Sequence, residues 1–203
     1  MKAINMKRKI AAAAAVVLAV TPMTGCKKEM IDSKPTASSI SAEDRAEENA
    51  QEALANMYKA QYAFNGGETC FGYMYPRIVL NELKRNGRYD ELIGDFDNSQ
   101  RQYVQNISHI PEITEFTGQK ELDDAQLKAA AQYLVSMSAN DPIYIGLDTA
   151  GINITEGVEL RCDIIDQNGN ADTDVECLVY IESDGWKVIP VSAEKLGKAY
   201  PAE

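Results

Sequence analysis

Aromatic, thiol and carboxylate groups are the reactive side chains this sequence concentrates. Tyr58, Tyr62, Phe64, Phe71, Tyr73 and Tyr75 form one dense aromatic stretch. Tyrosine joins an apolar ring to a polar tip, so Tyr58, Tyr62, Phe71, Tyr73 and Tyr75 suit the wall of a pocket for a small apolar ligand. The alternative is core packing where a helix meets a sheet. Cys162 and Cys177 lie in adjacent apolar runs, where either a disulfide or two buried thiols would fit. Cys70 has no evident mate. Asp166, Asn168, Asn170, Asp172 and Asp174 place oxygen donors at every second position, as a calcium loop does. Ala171 stands where that loop needs glycine, however, and Cys177 where it needs a bidentate glutamate. A polar hairpin turn is therefore the expected reading.

No catalytic constellation emerges. His109 is the single histidine, and Cys-x-x-Cys is absent, so neither a His-rich metal site nor a structural zinc is expected. Asp90, Glu91, Asp95 and Asp97 read as a solvated face rather than as paired catalytic carboxylates. The sequence contains no glycine-rich phosphate loop and no Gly-x-Ser-x-Gly elbow, and it implies no cofactor.

The most specific chemistry is at the N-terminus. Lys2, Lys7, Arg8 and Lys9 precede an apolar run, Ile10 to Val20, that is too short to span a bilayer. Met23-Thr24-Gly25-Cys26 follows. This resembles the lipobox of bacterial lipoproteins, with Met where Leu is usual. The resemblance implies cleavage before Cys26, diacylglyceryl attachment to its sulfur, and an extracytoplasmic, membrane-anchored protein. Residues 1–25 are then a signal peptide. Residues 26–40, polar and rich in Ser, Thr and Pro, read as a flexible stalk, and residues 41–203 as one folded domain. Without residues 1–25 the chain holds 31 acidic and 16 basic residues, a net charge of −15. That charge repels nucleic acid and anionic headgroups, so nucleic-acid binding is excluded.

Three apolar-alternating runs between Val158 and Val191 are separated by turn signals at Asn168-Gly169-Asn170 and Ser183-Asp184-Gly185, the pattern of an antiparallel meander. A two-residue turn at Gly169-Asn170 sets Cys162 opposite Cys177 and Leu160 opposite Val179. One at Asn168-Gly169 moves the cysteines onto a diagonal. Either way Val158, Leu160, Cys162 and Ile164 share a face with Val175, Cys177, Val179 and Ile181. Asp184-Gly185 as a tight turn sets Ile181 opposite Val188 and places Lys187 with Glu182 on the wet face.

The cover for that sheet comes from upstream. Ser41 and Asp44 predict the start of an amphipathic helix over Ala42–Phe64, ended by Asn65-Gly66-Gly67. Cys70–Pro76 reads as an aromatic turn, Arg77–Asn86 and Arg88–Phe96 as short helices, Asp95–Ser99 as a loop, and Tyr103–Phe116 as an edge or bent strand. Asp123 with Gln126 caps a helix over Asp124–Met137. Ile143 to Leu147 forms a further strand. These elements make an α+β domain, with a curved antiparallel sheet packed on a long N-terminal helix plus short helices.

The helix of Ser41–Phe64, the Tyr75-Pro76 turn, the capped helix at Leu122-Asp123-Asp124 and the final Asp184-Gly-Trp-Lys-Val-Ile189 strand together resemble small extracytoplasmic lipoproteins with a nuclear transport factor 2-like, or cystatin-like, fold. The resemblance spans Ser41 to Ser192 and implies a cone-shaped pocket. Some members of that family are isomerases or dehydratases, and many are non-catalytic binding or dimerisation modules. The expectation is a non-catalytic binding or interaction module with a small apolar ligand or a protein partner. One alternative is a pocket enzyme in which Tyr73 or Tyr75 and a buried carboxylate do acid–base work. The other is a homodimer formed through an outer sheet face carrying Arg161, Leu178, Tyr180 and Ile189.

Overall fold

The computed structural model describes residues 48–139, 149–182 and 184–201. Cys26, the stalk, Ser41, Asp44 and the strand expected over Ile143 to Leu147 lie outside the described residues. Six α-helices and four strands make up the described part, an α+β fold with an antiparallel sheet. Four helices come first: α1 (Ala50–Gln61), α2 (Gly67–Met74), α3 (Arg77–Arg85) and α4 (Tyr89–Asn106). Then come β1 (Glu112–Glu121), α5 (Asp124–Ala139), a 3₁₀ turn (Thr149–Gly151), β2 (Ile154–Ile165), β3 (Ala171–Ile181), β4 (Gly185–Ile189) and α6 (Ala193–Ala199). The sheet order follows the chain, β1-β2-β3-β4. Among the described residues no helix is long and apolar enough to cross a membrane.

Several element boundaries differ from expectation, each for a local reason. Asn49 is extended and closes a capping box with Glu52, so α1 starts at Ala50 rather than continuing back through the chain. The aromatic segment expected as a turn is the helix α2. Its first N–H, at Gly67, donates to the Asp97 carboxylate at 2.8 Å. Asp97 can reach it because α4 runs straight through the expected loop at Asp95–Ser99. The Asp123–Gln126 cap forms as expected, with both reciprocal bonds at 2.9 Å. Helix α6 was not anticipated, although Ser192 is a recognisable N-cap.

The larger correction concerns strand register. Ile165 faces Ala171 and Cys162 faces Asp174, one residue away from the nearer expected pairing. The cause is the turn. Gly169 donates to the Asp166 carbonyl and has φ +80°, which glycine adopts without strain. This is a three-residue connection, a turn followed by a left-handed glycine, rather than a two-residue one. The Asp166 carboxylate accepts from the backbone N–H groups of Asn168 and Asn170, at 2.8 and 2.9 Å. These donors, Asn170 first, hold that carboxyl below its usual range. The oxygen-rich segment is thus a hairpin turn. The second connection also closes at an odd offset, with Ile181 opposite Gly185 and Leu178 opposite Val188.

An odd slip moves side chains to the other face. Val158, Leu160, Cys162 and Ile164 now share a face with Leu178, Trp186 and Val188, packed under α1 through Ala53, Leu54, Met57 and Tyr58. Cys177, Val179, Ile181 and Ile189 face the other way and pack with Ala130 and Leu134 of α5 and Leu196 of α6. The sheet therefore has helices on both faces. Cys162 and Cys177 are buried thiols on opposite faces, the second of the two arrangements their positions allow. Leu178 and Ile189, expected together on an open outer face, are instead fully buried on opposite faces of the sheet. Lys187 is buried too. Its ammonium pairs with Asp184 at 2.8 Å and donates to the Gly72 carbonyl at 2.9 Å. Asp184 in turn accepts from the N–H of Arg77, at the start of α3.

Candidate functional site

The five aromatic residues expected to line a pocket are all buried, but the structure divides them between two cores. Tyr58, Tyr62 and Tyr73 pack beneath α1, against Leu160 and Val188. Phe71 and Tyr75 belong to the other cluster, with ring centroids 5.2 Å apart and Phe96 edge-on to Phe71 at 5.6 Å. The hydroxyls of Tyr58 and Tyr73 are engaged in structural bonds. The Tyr73 hydroxyl donates to the Glu48 carboxylate at 2.7 Å. The same carboxylate accepts from Asn56 at 2.9 Å, and the Glu48 carbonyl accepts from the Trp186 indole N–H at 2.9 Å. Glu48 thereby fixes the start of α1 on the sheet.

Beneath α1 the odd register brings two carboxylates inward. Asp174 and Glu176 are both buried, on the face that carries Cys162. The Tyr58 hydroxyl donates to Asp174 at 2.8 Å. Burial first, then the charges of Glu176 and Asp174, push the Tyr58 phenol far above its usual range. Burial also raises Tyr62, with Tyr103 and then Glu176 adding to it. Both phenols are therefore neutral donors at any physiological pH, and neither can serve as a phenolate base. Of Tyr73 and Tyr75, the alternatives for an acid–base role with a carboxylate, Tyr73 donates to Glu48 and Tyr75 packs in the other cluster beside Phe71. Burial pushes the Cys177 thiol up to about 12 and the Cys70 thiol well above its usual range, which makes both poor nucleophiles. His109 is exposed, 3.8 Å from Glu112. Asp90, Glu91 and Asp95 are exposed, as expected of a solvated face, but Asp97 is half-buried and accepts from the Gly67 N–H. Among the described residues no group of three or more His, Cys, Asp or Glu side chains could hold a metal ion.

The open feature lies elsewhere. A cleft of about 600 Å³ opens where the start of α1 meets the end of β1 and the start of β2. That volume is within the range of small-molecule sites. Its floor is apolar and buried: Ala50, Leu122, Gly157, Val158 and Trp186. Its rim is polar: Asn49, Gln51, Gln119, Glu121, Thr155 and Glu156. Gln51 donates to Gln119 across the opening at 3.5 Å, the outer limit of a hydrogen bond and hence easily broken. Gly157 lets the floor close. A Cβ there would sit 2.7 Å from a Leu127 methyl and 2.9 Å from a Leu122 methyl. Trp186 is held by its bond to Glu48 and by an edge-on contact with Tyr180 at 5.4 Å.

Sequence reasoning assigned none of these rim residues. Gln51, Gln119 and Thr155 are neutral and belong to no motif, and only the tertiary meeting of α1 with β1 and β2 brings them together. A comparison of the chain with protein-family models, with curated proteins and with solved structures finds no match.

Proposed function

We propose that this chain is a lipid-anchored, extracytoplasmic binding or interaction module without catalysis of its own. The single observation that carries the reading is the N-terminal order: four basic residues, the apolar run Ile10 to Val20, and then Met23-Thr24-Gly25-Cys26. Two acyl chains on one residue are enough for stable anchoring where one is marginal. The engagement of the aromatic hydroxyls in structural hydrogen bonds supports a non-catalytic role, and the cleft supplies an open surface at which to bind.

The support for a nuclear transport factor 2-like arrangement is narrower. It consists of α1 lying against one face of an antiparallel sheet that ends in Asp184-Gly185-Trp186-Lys187-Val188-Ile189. Helices α5 and α6 on the reverse face are additions to a cone.

Expression of the full chain in a bacterium fed radiolabelled palmitate tests the anchoring. The wild type is expected to incorporate label and to partition with membranes. Cys26→Ser is expected to lose the label. Label retained in Cys26→Ser, or a wild type that is never labelled, contradicts the reading.

A further inference from the structure

We infer that the cleft between α1, β1 and β2 takes an uncharged, polyhydroxylated ligand of the oligosaccharide class. The inference rests on the reading of the chain as a binding module and adds the chemistry of what is bound. The lining decides it. Among the described residues no Lys, Arg or His borders the cleft, whereas Glu121 and Glu156 do. Phosphate, sulfate and carboxylate ligands would meet repulsion with no compensating donor charge, in a chain whose folded part is strongly acidic. A purely apolar ligand would strip water from six polar side chains on the rim without replacing their hydrogen bonds.

Hydroxyl groups match what is there. The carboxamides of Gln51 and Gln119 each offer a donor and an acceptor, the Thr155 hydroxyl, which donates at 3.5 Å to the Tyr180 carbonyl, offers an acceptor, and the two carboxylates accept. A sugar hydroxyl likewise donates and accepts, so it can replace the weak 3.5 Å Gln51–Gln119 bond with two better ones. The floor supplies the other half of sugar recognition. The indole N–H of Trp186 is already bonded to the Glu48 carbonyl, so what the ring brings to the cleft is apolar surface, held in place by Tyr180. At 6% exposure the ring offers the cleft only a narrow edge, against which a C–H group of a sugar can rest. Glu121 and Glu156 would also attract a cation, and spermine in the titration below tests that alternative.

The molecule carries its own reporter, because Trp186 is the single tryptophan of the chain and lines the cleft. The full chain, solubilised in detergent, is titrated with neutral tetrasaccharides of glucose, galactose, mannose and N-acetylglucosamine, and separately with spermine and inorganic phosphate. Tryptophan emission is the readout. At least one tetrasaccharide is expected to shift the emission saturably at millimolar concentration or below. The Gln51→Ala/Gln119→Ala double variant should weaken that binding about tenfold, the size of effect expected when two hydrogen-bonding side chains are lost. Thr155→Ala, a change on an exposed strand position, should weaken it independently. No response to any tetrasaccharide overturns the inference, as does a response to spermine or phosphate alone, or a sugar response that survives both sets of substitutions. Palmitate labelling is indifferent to all of these outcomes, so a failure here is distinguishable from a failure of the anchoring.

Discussion

The two ends of helix α1 border very different environments. Near its C-terminal half, Tyr58 and Tyr62 lie over Asp174, Glu176 and Cys162, reactive groups by type, and every one of them is buried. At its N-terminal end, Asn49 and Gln51 lie beside Gln119, Thr155 and Trp186 around an open cleft. The most reactive groups are locked into packing and hydrogen bonds, while the accessible rim is made of amides, a hydroxyl and two carboxylates. Residue type alone points to the buried end. Burial and engagement decide which groups can meet a ligand.

Substitutions can break or sharpen this contrast. The largest effect is expected from Leu160→Ala, which empties a fully buried site beneath α1. It should cost about 2–5 kcal/mol in urea denaturation, the range for a core leucine. Tyr58→Phe comes next. It keeps the ring but removes the hydroxyl that bonds the buried Asp174, and should cost about 1–3 kcal/mol. A Tyr58→Phe variant as stable as the parent would show that this bond is dispensable.

The third test is pH. The Cys177 thiol lies at about 12 in the folded chain, against an ordinary value of 9.0, because burial penalises the thiolate and Glu159 and then Glu176 add to it. The unfolded chain loses that proton first, so stability should be flat below pH 9 and fall as the pH rises from 9 towards 12. Alkaline melting temperatures of the parent and of Cys177→Ala should differ in slope across that window. Equal slopes contradict the assignment of Cys177 to the core. The smallest effect is expected at the cleft rim, where Gln51→Ala and Gln119→Ala should each change stability by less than about 0.5 kcal/mol, as at other surface positions. A large loss at either would make the rim part of the fold rather than a surface for binding.

The local signals in this chain are readable and the tertiary ones are not. The Asp123–Gln126 cap is written in adjacent residues and forms as written. Asn49 and Glu52 spell an equally good capping box, but Ser41 and Asp44 offer a competing start in the same acidic stretch. Asp97, in the Asp95–Ser99 stretch that α4 runs through, caps α2 thirty residues back, a contact that no local window of sequence contains. The hairpin at Asn168-Gly169-Asn170 is legible as a turn, but its length depends on Asp166 reaching across it. One clue to the true register was present. Cys177-Leu178-Val179-Tyr180-Ile181 is a continuous apolar run, the mark of a strand covered on both faces, whereas a strand with one wet face alternates strictly. The cleft left no comparable trace, since neutral amides at an exposed strand end look like any solvated surface.

The placement of every group in this account depends on Ile165 standing opposite Ala171. Peptide mapping of the oxidised, non-reduced protein by mass spectrometry tests it most directly. With Cys162 and Cys177 on opposite faces of the sheet, the two cysteines should be recovered on separate peptides as thiols, even after export to an oxidising compartment. Recovery of a Cys162–Cys177 disulfide-linked peptide would place both on one face, turn Asp174 and Glu176 away from Tyr58, and contradict the structure described here.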